Sequence, residues 1–105
     1  MKTQNLTFGE AIELAKKGEL ITRSGWNGKQ VFLFIRPVAK VDIELVKTLP
    51  DKVKTYYEQF KEAEKPYILN FTPYMCMKAA DNTIVNGWLA SQTDIISEDW
   101  QVFEV

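Results

Sequence analysis

Two short polar stretches, each built around a tryptophan, hold the residues best suited to chemistry in this 105-residue chain. They are Ser24-Gly25-Trp26-Asn27-Gly28 and Gly87-Trp88-Leu89-Ala90-Ser91-Gln92-Thr93-Asp94. An indole offers a flat face that stacks on a base or a sugar. Glycine lets backbone amides approach a bound molecule closely. Hydroxyls, carboxamides and a carboxylate can then read its polar edges. The combination points to recognition of a small polar molecule with a ring rather than to bond breaking. Trp26 has only small polar neighbours and glycine, so it is either a stacking platform or a lid folded back over the core. Trp88 carries the same two readings, and Leu89 beside it adds weight to the core one. Ser91, Gln92, Thr93 and Asp94 are more hydrogen-bonding side chains than one helix cap requires, although a cap would use some of them. Arg23 and Lys29 flank the first stretch and could neutralise a phosphate, the plain alternative being solvated strand ends. Arg36 could instead form a structural ion pair.

Much chemistry is excluded by composition. There is no histidine, which removes the commonest general base, the triad arrangement and most transition-metal sites. Cys76 is the single cysteine and sits in the apolar run Tyr74-Met75-Cys76-Met77, where a buried inert thiol is expected. No phosphate-loop or dinucleotide fingerprint is present. Asp81 reads as a turn residue, Asp94 as a helix cap, and Glu98 and Asp99 as solvated carboxylates. No catalytic residue, metal or cofactor is therefore expected. The net charge of −1, from 13 basic and 14 acidic residues, argues against a duplex-binding protein, which needs a basic stripe. No run of apolar residues approaches the roughly 20 needed to span a bilayer, and the start lacks a signal-peptide core. A soluble cytosolic protein follows as the expectation.

The elements that must position these stretches are legible in outline. The length fits one domain, residues 1–105. Thr7 and Glu10 have capping-box spacing and open a helix with Phe8, Ala11, Ile12, Leu14 and Ala15 on one face. Gly18 is its expected stop. Residues 20–23 read as a strand, and the apolar run 31–35 as a central strand covered by the helix on one side and by a partner subunit or second layer on the other. A short helix is expected over 42–49. A longer one is expected from an Asp51 cap to about Glu64, its apolar positions including Tyr56, Tyr57 and Phe60. Residues 67–71 and 74–78 read as strands, with Asp81-Asn82 turning into another at 83–85. A helical turn opens near Ser91, and Trp100 begins an alternating terminal strand with its own ring in the core. This order predicts an α+β fold: an N-terminal helix packed on a mainly antiparallel β-sheet, with a helical insertion at about 41–66 between central strands.

Several segments together resemble one family. Phe8-Gly9-Glu10-Ala11, Gly25-Trp26-Asn27-Gly28, Met77-Lys78-Ala79-Ala80-Asp81, the second tryptophan stretch and Glu98-Asp99-Trp100 are similar to the small phage proteins of the Thoeris anti-defence sponge family. The resemblance implies sequestration without catalysis. A homotetramer in the cytoplasm of the bacterial host would enclose an immune signal of the cyclic ADP-ribose type and leave it intact. Cyclic oligonucleotides of another defence system are a further class of ligand that it implies, at a separate site. Carried onto this chain, Trp26 and Trp88 would stack on the adenine or close over the ligand. Gly25, Asn27, Ser91, Gln92, Thr93 and Asp94 would supply polar contacts, with Arg23 as the nearby cation. The helical stretch 41–66 departs from shorter relatives, and Asn82 replaces a turn glycine. Two other functions stay open: a nucleotide-cleaving enzyme acting through Asp94, and a protein-interaction module docking through Tyr56, Tyr57 and Phe60.

Overall fold

A computed structural model describes residues 2–26 and 29–105. Its elements are α1 (Phe8–Lys16), β1 (Ile21–Arg23), β2 (Phe32–Arg36), β3 (Ala39–Asp42), α2 (Asp51–Glu58), β4 (Ile68–Phe71), β5 (Tyr74–Lys78), β6 (Ile84–Asn86), α3 (Gln92–Ile96) and β7 (Trp100–Val102). The fold is α+β, with a mainly antiparallel sheet, an N-terminal helix and a helix between strands.

Both ends of α1 follow from local chemistry. The Thr7 hydroxyl accepts the Glu10 amide at 3.1 Å, and Glu10 Oε1 accepts the Thr7 amide at 2.9 Å. Two amides that the first turn would leave orphaned are satisfied reciprocally. At the other end Gly18 takes φ +99°, while the Gly18 and Glu19 amides reach back to the carbonyls of Ala15 and Leu14. Glycine adopts that left-handed turn without the steric penalty of a β-carbon.

The chain forms two compact units, one holding the residues up to Arg36 together with Tyr74–Val105, the other Pro37–Pro73. In the first unit five strands run in the order β6-β5-β2-β1-β7, every neighbour antiparallel. Ile21 is the register partner of both Leu33 and Val102, and Leu33 is also paired with Met77. Period-two alternation puts these four side chains on one face. Ala11, Leu14 and Ala15 of α1 close over that face and form a core with Leu6, Ile21, Leu33, Trp100 and Val102. Within the first unit α1 covers one face of Val31–Ile35. Leu33 is fully buried, but Phe32, Phe34 and Ile35 are only half-buried. A single helix covers a single face, and on the other Phe32 packs instead against Phe103, ring centroids 4.9 Å apart. The β5–β6 hairpin turns as expected. Asn82 takes φ +70°, and Asp81 Oδ1 accepts the amide and hydroxyl of Thr83 at 3.1 and 2.7 Å. Asparagine tolerates the left-handed position, and the aspartate supplies a local hydrogen-bonded turn.

The insertion is built differently from the expectation. The stretch over 42–49 is not helical. Residues Ala39–Asp42 form β3, paired antiparallel with β4, and only a single 3-10 turn, Ile43–Leu45, follows. Asp42 caps that turn by accepting the Glu44 amide at 3.0 Å. The pairing reaches Asp42, and the Ile43 amide donates to the Tyr67 carbonyl, so the chain enters this stretch from an extended strand. The second helix is also shorter. Pro50 holds the cap position without a side-chain bond, Asp51 is already helical, and α2 ends at Glu58 rather than near Glu64. Beyond it Phe60 and Lys61 make tightened bonds to Tyr57 and Glu58, and Glu64 turns to φ +62°. Tyr67 packs on Tyr57 at 5.4 Å, which draws the chain back toward β4. Arg36 and Tyr74, where the chain leaves and rejoins the first unit, are register partners. Insertion at such a point leaves the sheet's pairing intact. Among the described residues no helix is long and apolar enough to cross a membrane.

Candidate functional site

The sheet's topology brings the two tryptophan stretches together. Arg23 at the end of β1 is the register partner of Trp100 at the start of β7. The chain after β1 makes one 3-10 turn, Ser24–Trp26. The chain after β6 turns at Gly87, φ +80°, and anchors Trp88 by an amide bond of 2.8 Å to the Met75 carbonyl. It then runs through α3 into β7. The three indoles converge. Trp26 lies 6.2 Å from Trp88 and 5.4 Å from Trp100, and Trp88 lies 6.4 Å from Trp100, all edge-to-face. This geometry suits the aromatic quadrupole. Trp100 is 0% exposed, has Phe8 at 5.2 Å, and donates its ring N–H to the Asp94 carbonyl at 2.8 Å. It is the core residue expected. Trp26 and Trp88 are half-buried on its flank. Trp26 is thus folded back over the core as a lid would be, yet keeps exposed surface as a platform must.

Arg23 is the electrostatic centre of the site. Its Nε donates to Asp99 Oδ1 at 2.9 Å, Nη1 to Asp94 Oδ1 at 2.9 Å, and Nη2 to the Ser97 hydroxyl at 2.8 Å. The planar fork fits two carboxylates at once, which an ammonium could not do. A phosphate arriving here meets a guanidinium already balanced by two anions. Of the two arginines, Arg23 is therefore the one in the structural ion pair. Arg36 donates to the Tyr74 hydroxyl at 3.1 Å and to Asn86 Oδ1 at 3.3 Å. Lys29 is exposed.

Asp94 does two jobs. Its Oδ2 accepts the Ser91 amide at 2.9 Å and the Ser91 hydroxyl at 2.8 Å, while Ser91 Oγ accepts the Asp94 amide at 3.1 Å. This is a capping box on α3, so Ser91 and Asp94 serve the cap as that reading had it. Gln92 and Thr93 are exposed on the first turn. Asn27 and Gly28 lie outside the described residues. Gly25 needs no special backbone freedom, since a β-carbon there would meet Asp99 Oδ2 at an ordinary 3.8 Å.

Asp99 is the residue that the sequence reading missed, having placed it in solvent. Besides Arg23 it accepts the Ser24 hydroxyl at 3.1 Å, and its carbonyl accepts the Ser24 amide at 3.0 Å. No signal in the sequence alone marks it, because its meeting with Arg23 follows from the register of β1 and β7. Electrostatics keep both carboxylates ionised. For Asp99 the Arg23 hydrogen bond is the main cause, outweighing desolvation, with Ser24 and the Gly25 amide assisting, and its pKa lies below 3.8. For Asp94 desolvation is the largest influence and pushes upward. The Ser91 amide and hydroxyl and the Arg23 guanidinium together overcome it, so its pKa also lies below 3.8. Neither group keeps a proton at neutral pH. Among the described residues no group of three or more His, Cys, Asp or Glu side chains could hold a metal.

Comparison with known proteins covers nearly the whole chain. A family model described as a Thoeris anti-defense 2-like domain matches residues 6–103. A protein of Bacillus phage SP01 named "Thoeris anti-defense 2" is 36% identical over 102 residues, spanning 97% of this chain and 98% of the relative. The match extends across both compact units, so the second is common ground with this relative rather than an addition.

Proposed function

Because the chain belongs to the Thoeris anti-defense 2-like family, we propose that it acts by capture: it binds a cyclic nucleotide immune signal of the cyclic ADP-ribose type and holds it intact. The bacterial effector that needs the signal then stays off. The observation that carries this reading is the convergence of Trp26 and Trp88, 6.2 Å apart and half-buried beside a polar loop. Base stacking on an aromatic ring contributes about 1–3 kcal/mol per base. Two rings with several hydrogen bonds can reach nanomolar affinity, on the order of −12 kcal/mol.

The electrostatics favour holding over cleaving. A general acid needs a raised pKa, and a general base needs a free lone pair aimed at substrate. Asp94 and Asp99 have lowered values, and their oxygens are engaged by Arg23, Ser91 and Ser24. Leu89, Ile95 and Ile96 are 89%, 49% and 78% exposed around the Trp88 loop and α3. Such a cluster fits burial by a second copy of the chain, and a tetramer in the cytoplasm of the infected bacterium is the assembly we propose. Ser91, Gln92, Thr93 and Asp94 would line the completed pocket, and cyclic oligonucleotides, at a separate site, are the other ligand class.

The test is capture and release. The protein is incubated with cyclic ADP-ribose, freed of unbound ligand and heat-denatured, and the supernatant is weighed by mass spectrometry. Intact ligand is expected, with retention reduced at least about tenfold in Trp26→Ala. A cleaved product would make the protein an enzyme, and no retention by the wild type would sink the reading.

A further inference from the structure

A cleft of about 370 Å³ opens beside Trp26, and its remaining walls do not come from the second tryptophan loop. They come from the β1–β7 edge of the sheet and from the segments on either side. Register explains the construction. Thr22 and Gln101 are partners across β1 and β7, so their side chains stand together on the face opposite the α1 core. Phe103, two residues past Gln101, shares that face, and its ring closes against Phe32. Gln4 and Gln30 also line it. Gln30 sits at φ +54°, a left-handed backbone that disfavours any residue with a β-carbon. Its carbonyl is held there by the Lys78 ammonium. Strained non-glycine residues of this kind cluster at ligand sites.

Carboxamides recur in the walls. Three carboxamides, Gln4, Gln30 and Gln101, each offer both a donor and an acceptor. The Thr22 hydroxyl donates to the Val31 carbonyl at 2.7 Å, so toward the cleft it can only accept. Trp26 and Phe103 supply the aromatic surface. Among the described residues the one cation in the lining, Arg23, is already matched by Asp94 and Asp99, and Glu104 adds an anion. Among the described lining residues a phosphate finds no cation that is not already paired. A neutral ring with donors and acceptors on its edge finds a stacking surface and three groups able to pair with it, as glutamine pairs with adenine.

We infer that this cleft is a nucleoside subsite: it receives a base and its ribose through Trp26, Gln30 and Gln101, and leaves the phosphates outside. The inference rests on the capture reading for the identity of the whole ligand. It adds residues that selection by the tryptophan loops alone would not include, and it predicts their sense of charge.

Two variants and two probes test it on the full chain. Gln101→Leu keeps the size and removes the hydrogen bonds. It should weaken calorimetric binding of cyclic ADP-ribose by about tenfold, with an unchanged melting midpoint. Gln101→Lys adds a cation and should weaken binding as well. Tighter binding by Gln101→Lys would place a phosphate in the cleft and overturn the inference, as would wild-type affinity in both variants. Independently of any variant, adenosine added to the isotope-labelled wild type should shift the Gln30 and Gln101 carboxamide signals. If adenosine shifts them while cyclic ADP-ribose does not bind, the capture reading fails and the subsite stands. If cyclic ADP-ribose is captured while those signals stay still, the subsite fails and capture stands. If neither probe has an effect, both are wrong.

Discussion

Two aromatic clusters of almost equal spacing sit in this protein, one in each compact unit, and their surroundings differ. Around Trp100 the ring centroids are 5.2 to 6.4 Å apart. Around Tyr57 they are 5.3 to 6.4 Å apart. Trp100, however, is wholly buried and fixed by a ring N–H bond, and the loops beside it are tied by the Arg23 fork. In the second unit Tyr56 is 58% and Phe60 49% exposed, and α2 buries no residue fully. Equal ring geometry is therefore compatible with unequal rigidity. What fixes an aromatic cluster is the satisfied polar shell and the core beneath it, not the ring contacts alone.

Trp100→Ala should break the contrast most severely. It empties the keystone under Trp26, Trp88 and Phe8 and should cost about 3–5 kcal/mol in urea denaturation. A loss no larger than that of a surface substitution would mean the first cluster is no better anchored than the second.

Arg23→Ala comes next. It strands two partly buried carboxylates, for a cost of about 2–3 kcal/mol, between the values for exposed and buried pairs. The acid response gives the sharper signature. Asp94 and Asp99 both have folded pKa values below 3.8, so their stabilisation is complete above that value and lost as pH falls through the lower folded values. The wild type should therefore lose stability on acidification below about pH 4, and Arg23→Ala should lose less, because it has already forfeited the pairing. Identical acid curves for the two proteins would remove the network from the argument.

Leu69→Ala should have the smallest effect on global unfolding, under about 1 kcal/mol. Its cost should appear instead as faster hydrogen exchange in β3 and β4, with the amides of β1, β2, β5 and β7 still protected. A uniform loss of protection would show that the second unit is as firmly specified as the first.

The same contrast explains what the sequence revealed. In the first unit local signals and tertiary packing agree, so α1 with its Thr7–Glu10 box, the Gly18 stop, the Asp81-Asn82 hairpin and the Ser91 cap could all be read directly. The β3–β4 pairing, which reaches Asp42 at the start of the helix expected over 42–49, was not legible, because pairing between residues about 30 apart leaves no short-range pattern. The long form of α2 failed because Tyr67 competes for its aromatic face. At the site, the meeting of Trp26 and Trp88 was implied by the family resemblance, while the residues alone left Trp26 open between lid and platform. The role of Asp99 could not be read, since it depends on a register between β1 and β7 that only the assembled sheet defines. The carboxamide cleft escaped for the same reason: Gln4, Gln30 and Gln101 are far apart in the chain, and none belongs to a recognisable motif.

The chain has three tryptophans, and all three belong to one cluster. The indole emission of the molecule is thus the emission of its candidate site, without background from tryptophan elsewhere. Rings this close exchange excitation energy, so a ligand stacking on Trp26 alone alters the light from the whole set. The protein carries its own optical reporter, placed where the question about it lies.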